Sequence, residues 1–173
     1  YDPDKARSLL AQAGVGKDTV LEMYLPQNYP PHVEAGQLMQ EMLSKVGLNV
    51  QIKLIDWSTW IADVYTAAKY DFTVIGHTGK LDPDGTVGGY GTEKRYVRWV
   101  NPRCSELIKK AAVTTGYDNR KALYDEALEL MAREVPFVYV GTSYRRIGLR
   151  KGIEGFHMDP VLDTFDFRHT DKQ

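Results

Sequence analysis

The sequence predicts an α/β protein with a central, mainly parallel sheet flanked by helices. Three observations carry that expectation. Strand-like and helix-like stretches alternate through the first half of the chain, and strands joined by single helices pair in parallel with right-handed crossovers. Glycine and proline punctuate the junctions. The apolar run Phe72 to Ile75 halts at Gly76 and gives way to a polar, glycine-rich segment. A buried parallel strand reads this way where its carboxyl end opens into a ligand crevice.

Each element has a local reason. In the opening YDPDKARSLLAQAG, Asp2 can cap a helix and Pro3 suits its first turn. Ala6, Leu9, Leu10 and Ala13 share a face there, and Gly14 ends it. Thr19 to Leu25 alternates as a strand, with Val20, Met23 and Leu25 inward, and Pro26, Pro30 and Pro31 block its extension. Val33 to Val46 is helical, its apolar stripe made by Ala35, Leu38, Met39, Met42, Leu43 and Val46. Gly47 closes it, and Asn49 to Ile55 alternates as a second strand. Asp56 can cap a helix in which Trp57, Trp60, Ile61, Val64, Tyr65 and Ala68 follow the helical period. The Phe72 to Ile75 strand follows.

The second half reads differently. Thr86 to Arg98 predicts a loop or short helix around Gly88, Gly89 and Gly91, with Lys94, Arg95 and Arg98 as a solvated basic cluster. Asn101-Pro102 starts a helix through Leu107, Ile108 and Ala111 that ends near Gly116. Asp118 is expected to cap a further helix with Ala122, Leu123, Ala127, Leu130 and Met131 inward, stopped by Pro136. Phe137 to Val140 is expected as a strand. From Tyr144 the pattern weakens: Arg145, Arg146, Arg150 and Lys151 are followed by short apolar pieces around Phe156, Val161, Phe165 and Phe167.

Composition narrows the function. A 173-residue chain that is 43% hydrophobic and 26% charged has the make-up of one globular domain. The net charge of -1 gives no long-range attraction to nucleic acid or to a membrane surface. No apolar run is long enough to span a bilayer. The chain starts at Tyr1 without an initiating methionine, so the expectation is a piece of something longer. Cys104 is the single cysteine, so an internal disulfide is excluded, and it reads as a buried thiol inside a helix.

The motifs of catalysis are missing. Gly79-Lys80 lacks the upstream glycine and following hydroxyl of a phosphate-binding loop. No nucleophile elbow and no paired metal-binding histidines occur, since His32, His77, His157 and His169 are scattered. Asp82-Pro83-Asp84-Gly85 reads as a turn rather than a calcium loop. The residues after the third strand, His77, Thr78, Gly79, Lys80 and Asp82, therefore line one wall of a binding site in this reading. Lys80 is either a solvated loop lysine or a charge that selects an anionic ligand group. Trp57, at the start of its helix, either stacks on a ligand or packs in the core. No cofactor and no metal is expected.

These stretches, in their order and spacing, resemble the carboxyl-terminal portion of the oligopeptide/dipeptide-type (family 5) substrate-binding proteins of ABC importers. The match includes YDPDKARSLLAQAG, HVEAGQLMQEMLSKVGLNVQIKLIDWSTW and YDFTVIGHTGKLDPD, and continues through NPRCSELIKKAA, DNRKALYDEALELMAREVPFVYV and RKGIEGF. The resemblance implies a type II periplasmic-binding-protein-like lobe, with the ligand enclosed between two lobes and passed to a membrane permease. Residues 1–144 would then form the second lobe, and 145–173 a tail that packs on the missing first lobe. An extracytoplasmic or periplasmic location, with a signal sequence upstream, is implied as well.

Family members read Gly-Trp-x-x-Asp-Tyr after the third strand, and in peptide binders that aspartate holds the peptide amino terminus. Here Gly76 matches, but His77 replaces the tryptophan and Lys80 the aspartate, with Asp82 nearby as a partial substitute. The resemblance moves Trp57 toward the cleft. Lys80, in place of the aspartate, points to a ligand with a carboxylate or phosphate, such as an opine, a sugar acid or an acidic peptide. An effector-binding regulatory domain of the same fold and a small α/β enzyme are the alternatives, the latter needing a nucleophile and base that the sequence lacks.

Overall fold

A computed structural model describes the chain except at residues 17, 143, 145, 159–164 and 173. Arg145 and Val161, named above, lie outside the described residues. The chain divides into two compact units, Tyr1–His77 and Thr78–Gln173.

The first unit is built on a three-stranded parallel sheet in the order β2-β1-β3, with β1 at Val20–Pro26, β2 at Asn49–Ile55 and β3 at Phe72–Thr73. β1 and β2 pair over their full length, from Val20 opposite Asn49 to Pro26 opposite Ile55. β3 is shorter than the apolar run suggested: only Phe72 and Thr73 join the ladder, opposite Met23 and Tyr24. Helix α2 (Pro30–Ser44) covers one face. Its contact residues are Val33, Gly36, Met39 and Leu43, packed with Met23, Leu25 and Val50. The predicted stripe is thus rotated, and Leu38 and Met42 are exposed. Gly36 explains the rotation. A Cβ there would stand 2.5 Å from Leu25 Cδ1, so helix and strand approach where no side chain intervenes.

Helix α1 (Pro3–Gln12) has the predicted cap, Asp2 accepting from the Lys5 amide, yet it buries no residue and leaves Leu9 in solvent. Val20 is also exposed, because it begins β1 beyond the cover of α2. The segment after β2 starts as a short turn of helix, α3 (Trp57–Thr59), and widens into a π-helix over Trp60–Thr66. The expected α-period fails there for that reason. The wider winding buries Trp60 and Val64 while Ile61 and Tyr65 stay partly in solvent. Such π-segments are uncommon and concentrate at functional sites.

The second unit is a helical pair, α5 (Pro102–Val113) and α6 (Tyr117–Glu134), preceded by the short helix α4 (Pro83–Val87). Cys104, Leu107, Ile108, Ala127 and Met131 form its core, flanked by Val87, Tyr90, Trp99, Leu123, Leu130 and Phe137. Asn101 caps α5 as expected, its Oδ1 accepting from the Cys104 amide at 2.9 Å. Asp118 does not cap α6. Gly116, at φ +84°, takes the cap position and leaves Asp118 in the first turn. Ala122 faces solvent, and Tyr124 fills the place expected of it. The Glu134 carboxylate accepts from Trp99 Nε1 and Asn101 Nδ2, both at 2.8 Å, tying the end of α6 to the start of α5.

The strand expected over Phe137 to Val140 is not formed: these residues are irregular, and Val138, Tyr139 and Val140 are exposed. Arg95 also departs from the solvated reading, donating from Nε to the Gly88 carbonyl at 2.8 Å and lying over the Tyr90 ring. Near the end of the chain, β4 (Ile153–Glu154) pairs antiparallel with β7 (Asp171–Lys172), and β5 (His157–Met158) with β6 (Phe165–Asp166). Phe156, Phe165 and Phe167 cluster there with centroids 5.6 to 6.2 Å apart. No helix of the described residues is long and apolar enough to cross a membrane.

Candidate functional site

A parallel sheet sends all its carboxyl ends to one edge, and in open α/β sheets ligands collect there. In the first unit that edge carries three junctions: Gln27 to Tyr29 after β1, Asp56 after β2, and Val74 to His77 after β3.

The second junction is tightly fixed. Asp56 Oδ1 accepts from the Thr59 amide at 3.0 Å and from Ser58 Oγ, while Oδ2 accepts from Thr59 Oγ1 at 2.6 Å. These hydrogen bonds, led by the Ser58 and Thr59 hydroxyls, hold its carboxyl far below the usual carboxylate range. Asp56 thereby sets the backbone that presents Trp57. The Trp57 indole lies flat on Trp60, with centroids 5.0 Å and planes 2° apart. Trp60 is buried and donates from Nε1 to Thr73 Oγ1 at 3.0 Å, and that hydroxyl donates to the Tyr24 carbonyl at 2.8 Å. Trp57 stands 38% exposed on a backing anchored to both other strands of the sheet junction.

Tyr29 and His32 complete the edge. The Tyr29 ring meets Trp57 edge-on at 5.2 Å and His32 at the same centroid distance, tilted by 41°. His32 Nε2 accepts the Gly76 amide at 3.1 Å. Tyr29, His32, Trp57 and Gly76 thus form one connected ledge across the carboxyl ends of the strands, with His77 next along the chain and exposed. A shallow hollow at Ser44, Gly47, Leu48 and Asn49 lies at the opposite, amino end of β2 and opens to solvent. It has no comparable set of polar and aromatic groups.

Of the residues singled out in the sequence, Trp57 and His77 fall in the first unit. Thr78, Gly79, Lys80 and Asp82 open the second unit, and all four are exposed. Asp82 is held by its own surroundings. Its Oδ1 accepts from the Asp84 amide at 2.9 Å, capping α4, and both oxygens accept from Arg120, at 2.7 and 2.8 Å. Lys80 makes no ion pair among the described residues. Its stem lies where a side chain on Gly85 would be, 2.8 Å from that glycine's Cβ position.

Sequence reasoning missed Tyr29 and His32. Their signal is positional: Tyr29 lies in the turn after β1 and His32 in the first turn of α2, beside Pro26, Pro30 and Pro31, which signal only a strand stop. Nothing in the residue types alone separated them from ordinary helix-start positions.

Among the described residues no group of three or more His, Cys, Asp or Glu could hold a metal ion. Burial pushes the Cys104 thiol up to about 11, which keeps it protonated at neutral pH.

Residues 1–96 match the family model of bacterial extracellular solute-binding proteins, family 5, middle region. The chain is 30% identical over 176 residues to di/tripeptide-binding protein 1 of Pseudomonas aeruginosa strain UCBPP-PA14, covering 95% of this chain and 33% of that protein. It spans about a third of the length of the curated relatives it matches. Among solved structures, the oligopeptide-binding protein AppA of Bacillus subtilis, in complex with a nonapeptide, superposes at a TM-score of 0.83. That match has 19% identity and covers all of this chain and 38% of AppA. The binding protein AgaA of A. tumefaciens R10, in complex with agropinic acid, superposes at 0.70 with 25% identity, over 79% of this chain and 29% of AgaA. The α/β lobe expected from the sequence is the fold these periplasmic binding proteins share. The relatives are named as binding proteins, in keeping with the non-enzymatic reading.

Proposed function

Because the chain belongs to the family 5 bacterial extracellular solute-binding proteins, we propose that it is one lobe of an ABC importer's solute receptor. The receptor captures a small ligand in a cleft and delivers it to a membrane permease. The observation that carries this reading is the ledge at the carboxyl edge of the sheet, where a backed indole, two further rings and the Gly76 amide stand side by side. Flat aromatic surface with a few placed polar groups is how such sites hold small solutes.

The ligand, in this proposal, carries a carboxylate or phosphate. Lys80 supports it as an exposed cation with no ion pair among the described residues, at the place where the family pattern that the sequence resembles has an aspartate. A hydrogen bond to a charged group contributes about 1.5–3 kcal/mol, enough for one lysine to set a preference. The agropinic acid complex of AgaA shows that a relative of 25% identity takes a ligand named as an acid. Trp57 stacks on the ligand, and His77, Thr78 and the Gly79 backbone supply polar contacts. Asp82 acts in this scheme through the loop it anchors. Residues 145–173 form the tail that packs on the first lobe, and the receptor works outside the cytoplasm.

The test is calorimetry on the full-length protein with agropinic acid, a sugar acid, and acidic, neutral and basic dipeptides. Binding of an acidic ligand, weakened about tenfold or more by Lys80→Ala, is the expected result. Binding confined to neutral or basic peptides, or an anion affinity indifferent to Lys80→Ala, overturns the anionic assignment.

A further inference from the structure

We propose that His32 is the positioning residue of this ledge: its neutral ring fastens the Gly76 amide, and acid releases the backbone that leads into His77. The inference rests on the solute-binding reading for its consequence, but the fastening itself is a property of the chain alone.

The geometry is specific. The Gly76 N–H donates to His32 Nε2 at 3.1 Å, across a sequence separation of 44 residues. An acceptor at Nε2 requires the neutral ring with its proton on Nδ1. Gly76 is also the residue that permits the approach, since a Cβ there would stand 3.1 Å from Nε2. The ladder of β3 ends at Thr73, three residues earlier, so the chain beyond it has left the sheet. The imidazole holds the strand end in place of a neighbouring strand.

Protonation cannot keep this bond. A charged ring carries N–H groups at both nitrogens, and Nε2–H would point at the Gly76 N–H. The other nitrogen has no better outlet: Nδ1 is buried without a hydrogen-bond partner among the described residues. Facing the ring are Tyr29, at 5.2 Å on the turn before α2, and Gly76 followed by His77 on the segment after β3. Burial alone lowers its pKa from the usual histidine value. The neutral form is therefore favoured in the folded state, and the fastening is complete above the ordinary histidine range and lost as pH falls through the lowered pKa. A receptor outside the cytoplasm would hold its ligand at neutral pH and loosen one wall in acid.

The test uses hydrogen exchange at the Gly76 amide of the full-length protein, corrected for intrinsic exchange, between pH 8 and 5. His32 is followed by NMR with ring-labelled histidine. In wild type, Gly76 protection should fall about tenfold per pH unit below the His32 pKa. His32→Gln, whose amide oxygen can accept without titrating, should keep Gly76 protected across the range, while His32→Phe should leave it unprotected throughout. Equal Gly76 exchange in wild type and His32→Phe overturns the proposal, as does acid loss that persists in His32→Gln. Calorimetry with agropinic acid at pH 7.5 and 5.5 forms the second arm. Acid weakening in wild type but not in His32→Gln supports a role in binding. Pronounced acid weakening retained in His32→Gln overturns that role. Failure of agropinic acid and of every dipeptide to bind at either pH, with the Gly76 result intact, refutes the receptor reading and leaves the fastening standing.

Discussion

Trp57 rests on Trp60 with the two indole planes 2° apart, yet the two rings have opposite situations: Trp60 is 1% exposed and Trp57 38%. One ring belongs to the core and the other to the surface it supports. Trp60→Ala removes a buried indole and the Thr73 hydrogen bond, and large-to-small core changes of this kind cost about 3–5 kcal/mol. Trp57→Ala should cost far less stability and instead weaken ligand binding. Denaturant melts of both variants, beside calorimetry, separate the two. Equal destabilisation by the two changes would show that Trp57 is core.

The Asp82–Arg120 pair fastens the loop that carries Lys80. Its hydrogen bonds from Arg120, then the Asp84 amide, hold the Asp82 carboxyl below its ordinary value, and Asp82 in turn raises the Arg120 guanidinium. The fastening is therefore complete above the ordinary carboxylate pKa, about 4, and is lost as pH falls through the lowered one. Arg120→Ala is expected to increase proteolytic nicking between residues 78 and 88 at neutral pH. Asp82→Asn should do the same and remove the acid dependence below about pH 4. Nicking unchanged in both would mean that the loop is held by other contacts.

The sheet and its helices were legible because their signals are local. Asp2, Asp56 and Asn101 each cap the helix they precede, and the parallel pairing of β1 with β2 follows from the single helix between them. What the sequence concealed was tertiary. The face of α2 is turned by the close approach of Gly36 to Leu25, which no hydrophobic period encodes. The π-winding over Trp60–Thr66 leaves Ile61 and Tyr65 partly in solvent, and the expected strand after Pro136 has no neighbour to pair with among the described residues. The candidate site divides in the same way. Trp57 and the residues after Gly76 were visible as punctuation after apolar runs. Tyr29 and His32 were not, because their part comes from contact with Trp57 and Gly76, far away in sequence.

Gly91 supplies a test of the second unit's packing. It sits at φ +76°, and a Cβ there would fall 2.7 Å from the Asn101 carbonyl oxygen and 2.9 Å from the Ser105 amide. Both neighbours are backbone at the capped start of α5, so neither can swing aside. Gly91→Ala should lower stability by about 1–3 kcal/mol through backbone strain and this collision. Thermal melts of Gly91→Ala and of Gly148→Ala, where a Cβ meets nothing within 4 Å, make the comparison. Equal melting temperatures would refute the strain.

Cys104 should be inert in the native protein. Its side chain is fully buried beside Leu107, Ala127 and Met131, Sγ lies 3.8 Å from the Ala127 carbonyl, and the thiol pKa is pushed up to about 11, first by desolvation and then by Glu134. Alkylation needs the thiolate and a path to it, and both are withheld here. At pH 8 iodoacetamide should leave the folded chain unmodified over hours and label it within minutes once denatured. Cys104→Ser, which places a more polar hydroxyl in the same apolar contact, should destabilise the unit more than Cys104→Ala does. Native labelling at the rate of a free thiol would mean that α5 and α6 separate readily, and that the helical pair is not the rigid support the Arg120–Asp82 fastening requires.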